Sequence, residues 1–210
     1  MTASLHSSSS INFFLRPLPA SNCSIERLRR SAFGPLEYCD NQIRLSLLFN
    51  LKNIGHSPAV SVSVWFKLLA NIGAESNYVK IQKEMYEQQK NFHEARKNKF
   101  SEPFGNTIFP GQSIQLAVAA GASLPEIPEF LKDHISDLNT CPFHVKVVGL
   151  VIYAFTFEEG YHQTGFTLTL QRKMSKTENR STQAFFIDEG NVPANNLLLI
   201  NSPFNGLLPD

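Results

Sequence analysis

Ile43-Arg44-Leu45-Ser46-Leu47-Leu48-Phe49-Asn50-Leu51-Lys52 is the stretch that decides the fold class. Successive side chains of a strand point to opposite faces, so period two places Ile43, Leu45, Leu47, Phe49 and Leu51 together. Arg44, Ser46, Asn50 and Lys52 fall on the other face with Leu48. At helical spacing the same apolar residues would be scattered around the axis. The segment predicts a strand with one side in a core. A second run repeats the pattern: Val60, Val62, Val64, Phe66 and Leu68 oppose Ser61, Ser63, Trp65 and Lys67. Trp65 therefore falls on the nominal outer face, where either a following helix or a partner covers it.

Between the two runs lies Asn53-Ile54-Gly55-His56-Ser57-Pro58-Ala59. Asn and Gly tolerate positive φ, and Pro58 restricts entry to the second strand, so this is a hairpin or a corner between sheets. His56 reads as part of that turn. From Ser76 to Asn98 the period lengthens. Tyr78, Ile81, Met85, Phe92 and Ala95 share one helical side, with Lys80, Lys83, Glu84, Glu87, Lys90, Glu94 and Lys97 on the others. One long helix inserted at about 76–100 is expected to lie across the strands, turning Ile81, Met85 and Phe92 inward. Phe109-Pro110-Gly111-Gln112 fits a type II turn before Ile114, Leu116 and Val118. Leu124 to Leu138 predicts a second, shorter helix, with Pro128 in its first turn. Phe143 to Phe157 and Tyr161 to Leu170, joined at Glu158-Glu159-Gly160, predict an antiparallel hairpin.

Residues 1–40 carry the serine run Ser7 to Ser10 and Pro17, Pro19 and Pro35, and read as an irregular arm in which Ile11 to Leu15 adds a short edge strand. Residues 41–171 form the domain, and 172–210 a polar linker followed by a packed or flexible tail. Repeated alternating strands without β–α–β units make the expected fold mainly β: an antiparallel β-sandwich of immunoglobulin-like kind, with one long helix and one short one. The 17 phenylalanines suit the inner faces of such sheets.

The loop Asn53 to Ala59, the turn Phe109 to Gln112, and Gly149-Leu150-Val151-Ile152-Tyr153 with His162-Gln163-Thr164-Gly165-Phe166 carry a resemblance. Over about Ile43 to Leu170 the chain resembles an uncharacterised group of bacterial immunoglobulin-like sandwich proteins, often tethered to membranes by helices ahead of the sandwich. The resemblance implies no catalytic residues. In this sequence no uninterrupted apolar run approaches the ~20 residues that cross a bilayer, and a cytoplasmic protein is expected.

A formal charge of +1 offers no concentrated basic surface for phosphate. The groups Arg27 to Arg30 and Lys80 to Lys99 read as solvated faces, so no nucleic acid is expected. Cys23, Cys39 and Cys141 lack zinc-knuckle or Cys-x-x-Cys spacing; Cys23 and Cys39 pair in an oxidising compartment, or all three stay reduced. His144 and His162 lie on the two hairpin strands, with Glu158 and Glu159 near the turn, but at distant ends, which disfavours a metal site. Cys141 precedes His144 without an evident third member. Nucleophile-elbow and phosphate-loop signatures are missing. No catalytic, cofactor-binding or metal-ligating residue is assigned. The expected function is a noncatalytic protein-interaction or scaffolding module, with Trp65, Tyr78 and Tyr161 as the interaction surface and a protein as partner. The alternative is a small-molecule-binding domain or an atypical hydrolase with a site among the loops.

Overall fold

The computed structural model describes residues 11–15, 32–72, 77–99, 105–127, 141–156, 159–173, 184–187 and 189–201. The decisive stretch forms β4 (Gln42–Asn53), the centre of the first sheet. Along one edge it pairs antiparallel with β7 (Ser113–Ser123), from Gln42↔Ser123 to Lys52↔Ser113. Its other edge takes three short strands end to end. These are β1 (Ile11–Leu15, parallel), β2 (Ala32–Phe33) and β3 (Glu37–Cys39).

The second sheet runs β11 (Leu197–Asn201), β9 (His162–Arg172), β8 (Pro142–Phe155), β5 (Ala59–Asn71), β6 (Asn106–Ile108). A short β10 (Phe185–Phe186) adds to the start of β8. Among the described residues every pairing except β1 with β4 is antiparallel. The predicted hairpin is present in the register Val151↔Thr164 and Tyr153↔His162.

The first alternation reads directly into burial. Ile43, Phe49 and Leu51 are fully inaccessible, and Leu45 and Leu47 nearly so. The Phe49 ring meets Phe66 of β5 at 5.9 Å and Phe166 of β9 at 5.5 Å, so the two sheets fill one apolar cluster. Each large side chain placed there contributes ~1.5–3 kcal/mol relative to exposure. The segments on either side of the strands also reach this cluster. Leu36 and Val192, both buried, bridge antiparallel, and the Tyr38 N–H donates to Asn191 Oδ1 at 2.7 Å.

The second alternation needs one correction. Val60 was expected on the inner face, but Ala59 sits in the core and Val60 is half-buried. β5 advances three residues, from Val60 to Ser63, while β8 advances two, from Ala154 to Ile152. The extra residue is a bulge centred on Ser61, whose φ is +56°. Past it the expected faces return: Val62, Val64, Phe66 and Leu68 are inward. Gly105, at φ +112°, passes so close that a Cβ there would lie 2.7 Å from the Ser61 carbonyl carbon, and only glycine accommodates both constraints.

β4 and β5 belong to different sheets, so Asn53 to Ala59 is a corner and not a hairpin. Asn53, fully buried, holds it. Its Nδ2 donates to the carbonyls of Ser57 and Ile108, both at 2.8 Å, and its Oδ1 accepts the Gly55 N–H at 2.9 Å. Its backbone also bonds Gly111 and Gln112, tying the corner to the type II turn, where Gly111 has φ +78°.

The helix α1 (Tyr78–Lys99) starts at Asn77, whose side-chain oxygen accepts the Lys80 N–H at 3.0 Å, an N-cap arrangement. Of the second predicted helix, residues 124–127 carry no regular structure and the remainder lies outside the described residues.

Candidate functional site

The second sheet has an outer face as well as a core face, and α1 covers it. On β8, Val148, Leu150 and Ile152 point away from the main core yet are fully buried. Leu150 and Ile152 form a small cluster with Met85 of the helix, flanked by Trp65, Ile81, Tyr86 and Tyr161. Apolar residues on both faces of β8 explain why that strand reads as a nearly continuous hydrophobic run.

Polar side chains seat the helix around this patch. Gln82, 1% exposed, sends its Nε2 to the carbonyls of Phe166 (3.0 Å) and Gly149 (3.3 Å) and towards Thr167 Oγ1 (3.4 Å). Gly165 makes room for it, since a Cβ there would come 3.1 Å from the Gln82 amide. At the opposite end of the stripe His93 Nε2 lies 3.1 Å from Ser63 Oγ. The same hydroxyl oxygen accepts the Trp65 indole N–H at 3.2 Å. An indole can only donate, and the hydrogen between Ser63 and a neutral His93 can sit on either atom, because the hydroxyl oxygen keeps a second lone pair. Burial holds the His93 pKa below the ordinary histidine value, consistent with that neutral form. The Tyr86 hydroxyl donates to the Tyr161 carbonyl at 3.0 Å, and the His93 ring packs on the Tyr161 ring with centroids 5.3 Å apart. Burial, then the nearby Glu94 carboxylate, raises the Tyr161 pKa.

These contacts correct the inward set of the helix. Phe92 is 38% exposed and Ala95 is exposed, whereas Gln82, Met85 and His93 are buried. The docked line runs through Gln82, Met85, Gln89 and His93 at steps of three or four residues, about one residue away from the purely apolar stripe. Hydrogen bonds from Gln82 to β8 and β9 and from His93 to β5 hold the helix in this rotation. Phe92 consequently lies over the rim. Its ring meets Trp65 edge-on at 6.3 Å, and the Arg96 guanidinium stands 5.2 Å above its centroid, within cation–π range.

Of the three residues expected to form an interaction surface, the structure brings Trp65 and Tyr161 to this cluster, both half-buried. Tyr78 is also half-buried but lies at the start of α1, some four helical turns from Phe92, or about 21 Å along the axis. Phe92, expected on the inward stripe of the helix, and Arg96, not singled out in the sequence, join Trp65 at this rim. Their i,i+4 spacing, an aromatic followed by a cation, was the available signal.

The other candidates lie apart. His144 is exposed and pairs with Asn71, while His162 pairs with Tyr153 at the far end of β8 and stacks on its ring at 5.7 Å. Among the described residues no group of three or more His, Cys, Asp or Glu is placed to hold a metal. Cys141 is buried and Cys39 exposed, and Cys23 and Glu158 lie outside the described residues. Among those residues, too, no helix is long and apolar enough to cross a membrane. Ser63 and His93 contain the atoms of a nucleophile and base. However, Ser63 is 9% exposed beneath the helix and already accepts the indole hydrogen, which withdraws electron density from the oxygen that would attack. Comparison with protein-family models, with curated proteins and with solved structures finds no match to this chain.

Proposed function

We propose that the chain is a noncatalytic protein-interaction module built on an immunoglobulin-like β-sandwich, and that its partner binds at the aromatic rim of α1. The carrying observation is Phe92, 38% exposed, seated on Trp65 and topped by Arg96. A preordered aromatic–arginine pair loses little conformational entropy on binding, and Trp, Tyr and Arg dominate the residues whose truncation costs most at interfaces. Trp65 acts here as the floor that fixes Phe92, and Tyr161 extends the rim through His93. Mixed charges on the flanking helix, including Glu84, Glu87 and Glu94, orient a partner without forming the single-sign field that nucleic acid requires.

A photocrosslinking side chain incorporated at Phe92 in the producing cell, with one at Lys83 as reference, tests this reading. A discrete protein adduct from position 92 that is missing from 83 and weakened by Arg96→Ala is the expected result. Identical adduct patterns from the two positions, or none from position 92, would overturn it.

A further inference from the structure

We infer that β7 is the seam of a homodimer, pairing antiparallel with β7 of a second copy about a two-fold axis through Val118. The inference is independent of the aromatic rim on α1, which belongs to the other sheet.

The two edges of the first sheet are built differently: one from the three short strands β1, β2 and β3, the other from the single long strand β7. The edge of β4 away from β7 is occupied by β1, β2 and β3. The far edge of β7 has no strand partner among the described residues. Its eleven residues present about 36 Å of backbone edge, with hydrogen-bonding groups pointing outward at alternate positions. Burial reports the same opening. Ile114, Leu116, Val118, Ala120 and Ala122 face the core but are only half-buried, while their β4 partners Leu51, Phe49, Leu47, Leu45 and Ile43 are buried.

The composition of β7 selects the occupant. Ser-Ile-Gln-Leu-Ala-Val-Ala-Ala-Gly-Ala-Ser contains no charge and no proline, the usual devices that keep an edge from pairing. β4, β5, β8 and β9 each carry at least one Lys or Arg. A second copy therefore meets no like charge. Large residues also fill the first half of β7 and small ones the second. About Val118, Ile114 faces Ala122, Leu116 faces Ala120, Gln115 faces Gly121 and Ala117 faces Ala119 of the other copy. Each bulky side chain meets a small one, and Val118 meets itself. Symmetric pairing of this kind is isologous and closes at two copies.

Sedimentation velocity of the full chain over a concentration series tests the seam. Conversion of monomer to dimer with rising concentration is expected. Ala117→Lys with Ala119→Lys sets lysine against lysine twice across the axis and should weaken association by about tenfold or more. Ala117→Lys with Ala119→Glu sets lysine against glutamate and should retain the dimer. Both positions are exposed, and circular dichroism verifies that the variants fold. Amide exchange on the unmodified chain supplies an arm free of substitution: protection across 114–122 should rise with concentration. A monomer at every concentration, equal association of the two charge variants, loss of the dimer in both, or concentration-independent exchange would each overturn the proposal.

Discussion

The two faces of the second sheet are both buried, by different means. Towards the first sheet, Val62, Val64, Phe66, Val145, Val147, Val151, Phe166 and Leu168 make a dry apolar layer with Phe49 at its centre. Towards α1, the patch of Met85, Leu150 and Ile152 is small and bordered by Gln82, Ser63, His93 and Thr167, all buried. The first interface is non-directional and tolerates any packing of the right volume. The second is set by directional hydrogen bonds from Gln82 Nε2 and His93, which fix the rotation of the helix and thereby put Phe92 at the surface, although Gln82 Oε1 is buried without a hydrogen-bond partner. Specific polar seating, more than greasiness, determines what this helix displays.

That difference can be broken from either side. The largest loss is expected from Phe49→Ala, which opens a cavity between the sheets and should cost ~3–5 kcal/mol. Urea denaturation measures it, and a loss below that of the helix-side substitutions would show that the dry layer is not the dominant one. Gln82→Leu comes next. It keeps volume but leaves the Gly149 and Phe166 carbonyls without the amide, for an expected ~1–3 kcal/mol. No change in denaturation midpoint would mean that the helix is not anchored there. Ser63→Ala removes the hydroxyl shared by Trp65 and His93 and should cost about 1 kcal/mol. Stability is a secondary readout for this variant. Because Trp65 is the single tryptophan, its emission should shift as the indole loses its acceptor, and an unchanged spectrum would contradict the assigned bond.

The dry layer was legible in the sequence and the polar one was not, for one reason. Period-two alternation in Ile43 to Leu51 reports an apolar face directly, and the hairpin partners Val151 to Phe155 and His162 to Leu170 announce themselves through β-branched and aromatic residues. The bulge at Ser61 carries no such mark. The residue packed against it is Gly105, distant in sequence and adjacent in space, where a Cβ would collide with the Ser61 backbone. Likewise the helix from Tyr78 was legible as a helix, but its docked face was misjudged by about one residue. Gln82 and His93 count as solvent-facing until their partners on β5, β8 and β9 are known. Trp65 was legible as an outer-face residue from its place opposite the core alternation, and the structure sets it beside α1. Phe92 was placed inside because helical periodicity puts it on one side with Tyr78, Ile81, Met85 and Ala95.

Neutral His93, bonded to Ser63, holds the end of α1 down over Trp65. In the folded chain the His93 pKa lies below 6.5, its ordinary value, because burial disfavours the imidazolium. The unfolded or undocked state therefore binds the proton more readily, so the stabilisation is complete above about pH 6.5 and is lost as pH falls from there through the folded-state value. Acrylamide quenching of Trp65 emission, followed from neutral to mildly acidic pH in the unmodified chain and in His93→Gln, measures this directly. Quenching should rise in the unmodified chain as pH drops below that range and stay flat in His93→Gln, which keeps a hydrogen-bond acceptor and cannot titrate. Equal pH dependence in the two proteins, or none in the unmodified chain, would contradict the claim.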